Sequence, residues 1–194
     1  MHFHYSFFGL SSPDPYYALA KGLREGDKNG VVVTILNPYG SGEWNDVKDF
    51  MKNEKAKKAI DMIAPDPYPG VWETPDPGGK KGIENICNDI NNPSHPFYSK
   101  LGGIMETGCC ALNPLGYHDK VQWIKDKIPE MIEAIKECNE NNRYKIEIFC
   151  YYSLFTGDDS FGLIDKTTLK KLDAYYALEK ILFSNLWNTN SQIP

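Results

Sequence analysis

Two histidines near the start of the chain, His2 and His4, have the spacing of a metal site. On a β-strand, residues two positions apart project from the same face about 7 Å apart, so both imidazoles could bind one ion. A metal-dependent hydrolase needs further ligands, and the sequence offers His118 and Asp119. Because strand alternation explains the pair without an ion, we favour the solvent face of a strand and predict no metal and no other cofactor. A small metal-dependent hydrolase that uses these four residues is the alternative.

Adjacent cysteines, Cys109 and Cys110, suggest a thiol nucleophile, since His118 follows closely. A thiolate is commonly activated at the start of a helix, but Pro114 and Gly116 exclude a helix of any length here. We therefore expect both cysteines to be packing residues. No secretory leader is visible, so every cysteine is predicted to be a free thiol of a reducing compartment. The five are Cys87, Cys109, Cys110, Cys138 and Cys150.

Carboxylates recur at three- and four-residue spacings on the outer face of a predicted helix, at Glu130, Glu133 and Glu137. On a helix this spacing makes one ridge of negative charge. Two more carboxylates, Asp158 and Asp159, fall in a predicted turn. No His, Lys or metal cluster converges on them in the sequence, so no catalytic residue is predicted. We interpret these five residues as a candidate surface for a protein partner.

The composition is that of a globular domain, with 194 residues, 41% hydrophobic side chains and a net charge of −5. Lys and Arg form no stripe interleaved with aromatic residues, so nucleic-acid binding is not expected. No stretch is apolar over the length of a membrane span, and the predicted location is the cytoplasm. The motifs of P-loop proteins, zinc proteases and serine hydrolases are absent, which argues only against those families.

The first third of the chain predicts a strand, a helix and a second strand. Positions 2–7 alternate between polar and aromatic residues, and the segment 30–36 is rich in β-branched residues. Between them, an apolar stripe that ends at glycines predicts a helix. A further helix is predicted over 45–63, and the prolines and glycines of 64–84 predict a long loop.

The last third predicts an amphipathic helix, a strand, and then a further helix and strand. Apolar residues at alternating spacings of three and four predict a helix over 119–141, in which Pro129 should cause a kink or a break. An alternating strand is predicted over 144–153. Asp165 is the predicted cap of the next helix, and 178–184 is predicted to return as a strand.

These elements together predict an α+β fold, with a mainly antiparallel sheet, helices packed on one face and a long Pro/Gly-rich central insertion. A single domain over residues 1–194 is expected. Its core is predicted at 1–40 and 107–184, and the insertion or long loop region at 41–106.

The order of features over residues 1–25 and 107–184 resembles a small bacterial domain family of unknown function, whose members are suspected of being immunity proteins of polymorphic-toxin systems. The shared features are a helix broken by a proline, a strand IEIFCYYS, a Gly/Asp turn TGDDSFG and a Leu-rich capped helix. The resemblance implies a cytoplasmic binding protein and supplies no catalytic residues.

We predict from these observations a non-enzymatic immunity protein that neutralises a cognate bacterial toxin by occluding its active site. The acidic ridge would suit a basic cleft, and an aromatic side chain in a predicted loop would add a hot spot. The predicted partner-binding residues are Glu130, Glu133, Glu137, Asp158, Asp159 and Trp72. Two further hypotheses stay open, the metal-dependent hydrolase described above and an effector or toxin fragment.

Overall fold

The structure is a computed structural model that describes residues 3–4, 13–36, 42–71, 79–109, 119–156 and 161–186. Five strands form one sheet in the order in which they occur in the chain. Each strand pairs with the next in parallel. The strands are β1 (Phe3–His4), β2 (Val33–Leu36), β3 (Met62–Pro65), β4 (Leu101–Ile104) and β5 (Ile146–Phe149).

Within the described residues, six helices accompany the strands, and at least one lies between each strand and the next. Among the described helices, none combines the length and the apolar character that crossing a membrane requires. The helices are α1 (Asp14–Gly26), α2 (Gly42–Phe50), α3 (Glu54–Ala59), α4 (Lys80–Asn91), α5 (Lys120–Asn141) and α6 (Asp173–Leu186).

The parallel direction of all five strands shows that the predicted antiparallel sheet is wrong. Parallel neighbours need a connection that carries the chain back to the starting end of the sheet, and the helices do so here. Alternation in a sequence indicates which strand face is buried, but it is the same for both strand directions. The direction therefore had to come from the tertiary structure.

The main core lies between one face of the sheet and helices α1 to α5. The strands contribute Ile63 and Ile146, and the helices contribute Ala20, Ile86 and Met131, among others. A strand followed by a helix on the same face, repeated in chain order, is the arrangement of β/α barrels.

The other face of the sheet carries a smaller apolar cluster around Val33, Met62 and Ala64. Gly103 of β4 faces this cluster, because a Cβ there would lie 2.9 Å from the Met62 sulfur. All four residues of β3 are buried. Burial on both faces is typical of parallel sheets and gives continuous apolar stretches rather than clean alternation.

The region 41–106 is not an insertion, because it contains two strands of the sheet. β3 and β4 lie between β2 and β5, and Ile83 and Ile90 of α4 are fully buried in the main core. The prediction failed because this region is rich in residues that break helices and strands. In the structure, Pro65 is the last residue of its strand, and Gly103 makes room for a neighbouring side chain.

A second core joins α5, α6 and the loops beyond the strands. α5 is one helix of 22 residues that contains Pro129, so the expected break does not divide it. α6 continues through 178–184, where a strand was expected. Ala174, Leu178 and Leu182 pack in this core at intervals of four residues, which is the period of a helix.

Two of the cysteines form a disulfide, which joins Cys87 of α4 to Cys138 of α5 with a Cα–Cα distance of 5.9 Å. The prediction of free thiols throughout is therefore wrong for this pair, whereas Cys109 and Cys150 form no disulfide. The paired residues are separated by 51 positions, and only the packing of the two helices brings them together.

Candidate functional site

The carboxyl ends of β3, β4 and β5 lie at the same end of the sheet, because the strands are parallel. Asp66 and Tyr68 follow β3, Glu106 follows β4, and Tyr152 follows β5. In β/α proteins ligands bind at this end of the sheet, where loops bring together side chains from several strands. These four residues form the candidate site.

The Tyr68 hydroxyl donates a hydrogen bond of 3.0 Å to the Glu106 Oε2. Tyr68 is 6% exposed, whereas Glu106 is only half-buried and keeps contact with solvent. This hydrogen bond fixes the position of the Glu106 Oε2, because its strength depends steeply on distance and angle. Glu106 is thus an oriented carboxylate that a ligand can reach.

The pKa of the Tyr68 phenol is raised well above its ordinary value. Burial is the largest cause, followed by the charge of Glu106 and the hydrogen bond to it, and then by the charge of Asp66. Asp66 is itself 5% exposed. Two carboxylates therefore act on one phenol, which stays protonated at neutral pH and remains a hydrogen-bond donor.

The loop after β3 is held in place by α5. The indole Nε1 of Trp123, which is fully buried, donates a hydrogen bond of 2.7 Å to the Pro69 carbonyl. The Val71 N–H donates a hydrogen bond of 3.0 Å to the Tyr68 carbonyl and closes a turn. These two contacts fix the backbone that carries Asp66 and Tyr68.

The backbone that follows Glu106 lies against Tyr152. The Tyr152 N–H donates a hydrogen bond of 2.8 Å to the Thr107 carbonyl. A Cβ at Gly108 would lie 2.3 Å from the Tyr152 carbonyl oxygen, so only glycine fits at this position. Glu106 therefore lies two residues before a close contact between the chain after β4 and the chain after β5.

The cysteines near the site do not have the features of an activated nucleophile. Cys109 is fully buried in the second core. Burial raises the pKa of the Cys150 thiol, which favours its neutral form. Cys110 and His118 lie outside the described residues.

The predicted acidic ridge is exposed on α5, where Glu130, Glu133 and Glu137 all face solvent. These side chains belong to the helix layer, whereas Glu106 follows a strand. The remaining predicted partner-binding residues lie outside the described residues, and they are Trp72, Asp158 and Asp159.

The alternative metal site is described only in part. His2 and His118 lie outside the described residues, and only the backbone of His4 is described, on β1. Asp119 is the N-cap of α5, since its Oδ1 accepts hydrogen bonds from the N–H groups of Val121 at 2.8 Å and Gln122 at 3.2 Å. Within the described ranges, no group of three or more His, Cys, Asp or Glu could hold a metal ion. Capping explains Asp119 without a metal.

Sequence analysis assigned no role in chemistry to Asp66, Tyr68 or Glu106. Asp66 and Glu106 lie at the ends of the apolar stretches MIAP and GGIM, so an acidic residue just beyond a buried strand was the available signal. Prolines hid the first strand and glycines hid the second, because both residue types predict loops.

A groove of about 480 Å³ opens between α6 and the chain that follows β5. Its lining is mostly apolar and includes Leu154, Leu178 and Phe183. None of the four candidate-site residues lines this groove, so the groove and the candidate site are separate features.

No protein-family model matches the chain, and no curated protein matches it either. Solved structures do match. A β-glucosidase from Exiguobacterium marinum has a TM-score of 0.54 at 12% identity, over 89% of this chain and 57% of that one. A psychrophilic glycoside hydrolase family 10 endo-β-1,4-xylanase has a TM-score of 0.53 at 12% identity, over 87% and 51% of the two chains. The hyperthermostable endo-1,4-β-D-mannanase of Thermotoga petrophila RKU-1 has a TM-score of 0.53 at 13% identity, over 90% and 51%.

At these identities the likeness shows the fold alone, and that fold is the β/α barrel. The chain spans about half the length of these neighbours. Five parallel strands in sequential order agree with part of an eight-stranded barrel. The barrel-like parallel sheet replaces the antiparallel α+β fold that the sequence predicted.

Proposed function

We propose that this chain contributes Glu106 as the reacting carboxylate of a glycoside hydrolase. The observation that carries the proposal is the hydrogen bond from Tyr68 to Glu106 at the carboxyl ends of two paired parallel strands. The neighbouring structures support a sugar substrate, because they are named as a β-glucosidase, an endo-β-1,4-xylanase and an endo-1,4-β-D-mannanase. Their names also favour a β-linked substrate.

Glycoside hydrolysis uses two carboxyl groups, and in retaining enzymes one of them attacks the sugar. We assign this role to Glu106, because the Tyr68 hydroxyl holds its carboxyl group in place and solvent can still reach it. Glu106 would bond to the anomeric carbon as the bond from that carbon to the leaving oxygen breaks. The second carboxyl group would protonate the leaving oxygen, and water would then hydrolyse the glycosyl ester and restore the Glu106 carboxylate.

The first test uses a substrate that needs no proton donor. The 2,4-dinitrophenolate of 2,4-dinitrophenyl 2-deoxy-2-fluoro-β-glucoside leaves as an anion, and the fluorine slows hydrolysis of the ester. We expect mass spectrometry of the digested protein to find the fluoroglucosyl group on the peptide that contains Glu106. The Glu106→Gln variant should not be labelled, whereas the Glu133→Gln variant, changed on the exposed face of α5, should be labelled like the original chain. Absence of the label, or a label on a different carboxylate, would contradict the proposal.

Toxin binding by the acidic ridge of α5 stays a separate proposal. Its support is that Glu130, Glu133 and Glu137 are exposed along one helix and are available to a basic partner. Charge reversal at Glu133 and Glu137 should slow association with a cognate toxin and weaken its salt dependence. Unchanged association kinetics would remove the ridge from this proposal.

We propose an oxidising compartment for the protein, in place of the predicted cytoplasm. The support is the disulfide between Cys87 and Cys138, because disulfides persist in oxidising environments and are rare in the cytosol. Alkylation of the protein from its native host, without reductant, should modify neither residue. Full alkylation of both thiols would favour the cytoplasm.

A further inference from the structure

Three aromatic rings meet at the candidate site, and Phe161 is the central one. Its ring packs edge-to-face against Tyr68, with a centroid distance of 5.4 Å and an interplanar angle of 67°. It packs in the same manner against Tyr152, at 5.5 Å and 63°. Phe161 is 2% exposed and Tyr68 is 6% exposed, so their contact is shielded from solvent, whereas Tyr152 is 36% exposed.

Phe161 touches the chain beyond each of the three strands that build the site. Tyr68 follows β3, and Tyr152 follows β5. The chain after β4 also packs on the ring, because a Cβ at Gly108 would lie 3.2 Å from the Phe161 Cδ1. One buried side chain thus packs against the chain that follows each of β3, β4 and β5.

The segment that carries Phe161 is anchored independently of Tyr68. The Lys120 ammonium donates a hydrogen bond of 2.7 Å to the Gly162 carbonyl. The Leu163 N–H donates a hydrogen bond of 3.1 Å to the Leu154 carbonyl. These two bonds hold the backbone that follows Phe161, and its buried ring offers Tyr68 a fixed surface.

The Tyr68 phenol needs such a surface because a hydrogen bond depends steeply on distance and angle. The position of the phenol depends on two side-chain torsions, χ1 and χ2, and the distribution of χ2 in tyrosine is broad. Edge-to-face packing on Phe161 restricts that torsion and keeps the hydroxyl aimed at the Glu106 Oε2.

We propose that Phe161 is a positioning residue that holds Tyr68 against Glu106. The effect of Phe161 on catalysis rests on the proposed function of Glu106. The structural half of the inference, that Phe161 supports the hydrogen bond between Tyr68 and Glu106, can be tested without any substrate.

The substrate-free test is a double-mutant cycle of Tyr68→Phe and Phe161→Leu, measured as urea unfolding midpoints. Tyr68→Phe removes the donor hydroxyl and should lower the midpoint of the original chain. If Phe161 positions the hydroxyl, Tyr68→Phe should have a smaller effect in the Phe161→Leu background. We expect it to lower the midpoint there by less than about half of the shift that it causes in the original chain. Additive shifts would overturn the inference. If Phe161→Leu does not fold, Phe161→Met, which keeps more of the side-chain volume, takes its place.

The second test measures the rate at which the fluoroglucoside labels Glu106. Phe161→Leu should lower the rate by about 10- to 100-fold, because a small displacement of a reacting group has an effect of that size. The matched control is Phe97→Leu, which truncates a fully buried phenylalanine of the main core. That control should lower the urea midpoint but change the labelling rate by less than about twofold. Equal losses of rate in the two variants would overturn the inference.

The two tests separate failure of the inference from failure of the proposed function. Non-additive midpoints with no labelling of the original chain would overturn the proposed function and leave Phe161 as the support of Tyr68. Labelling of Glu106 with additive midpoints would support the proposed function and overturn the role of Phe161.

Discussion

The Tyr68 hydroxyl and the Glu106 carboxylate meet at 3.0 Å although they are 38 positions apart in the sequence. The parallel pairing of β3 and β4 brings them together, because each residue lies just beyond the carboxyl end of its strand. In an antiparallel pair, the chain after one strand and the chain after the next would lie at opposite ends of the sheet. The candidate site therefore depends on the strand direction that sequence analysis got wrong.

The raised pKa of Tyr68 predicts a pH dependence of stability. Burial is the main cause, and Glu106 and Asp66 add to it. Below about pH 10 the phenol is protonated in both the folded and the unfolded chain. Above that pH the unfolded chain loses the proton and the folded chain retains it, so the free energy of unfolding falls as the pH rises.

We expect this fall to be shallower in the Tyr68→Phe variant, which has no phenol to ionise at that position. Urea midpoints at about pH 8, 10 and 11 measure it. Tyr176→Phe, which changes an exposed tyrosine, should keep the slope of the original chain. Parallel curves for the original chain and Tyr68→Phe would show that Tyr68 does not make this contribution.

Reduction of the disulfide between Cys87 and Cys138 should destabilise the protein. The bond closes a loop with a sequence separation of 51, and removal of a native disulfide from a small domain costs about 2–5 kcal/mol of the free energy of unfolding. Urea unfolding with and without a phosphine reductant measures this loss. Cys150→Ser, at a free cysteine, should remain as sensitive to the reductant as the original chain. A midpoint that the reductant does not move would argue against the bond.

The Asp119 side chain should contribute to stability as a helix cap. Asp119→Ala removes the acceptor for two N–H groups at the start of α5, and we expect it to cost about 0.5–2 kcal/mol of the free energy of unfolding. Asp119→Asn can still cap and should retain most of this stability. A metal role for Asp119 would instead make the original chain sensitive to a chelator and the Asn variant as unstable as the Ala variant. Thermal melts with and without EDTA distinguish the two outcomes.

Gly108→Ala should disturb the site, because the added methyl group would lie 2.3 Å from the Tyr152 carbonyl oxygen. Relief of this overlap requires a backbone shift, and we expect a loss of about 1–3 kcal/mol in the free energy of unfolding. The matched control is Gly22→Ala in α1, where the new methyl group meets open space. That change should stabilise the protein by up to about 1 kcal/mol, since alanine has the higher helix propensity. Equal effects of the two changes on the urea midpoint would contradict the close approach of Gly108 to Tyr152.

Sequence patterns located several elements well. The predicted helix over 119–141 is confirmed by α5, and the helix and strand of the first third are confirmed by α1 and β2. These elements follow local periodicity, which is 3.6 residues for a helix and 2 for a strand. The predicted strand at 178–184 was wrong, because a short apolar stretch fits either element and packing against α5 selected the helix.

The amino-acid sequence by itself determined the elements whose apolar residues recur with a local period, and it located the start of α5 to within one residue. Only the tertiary structure decided that the strands run in parallel, that Cys87 meets Cys138, and that Tyr68 meets Glu106. The physical reason is the difference between contacts that are local in the sequence and contacts that join distant segments. A periodic pattern reports which side of one element is buried, whereas strand direction and side-chain partners depend on the joint packing of segments far apart in the chain.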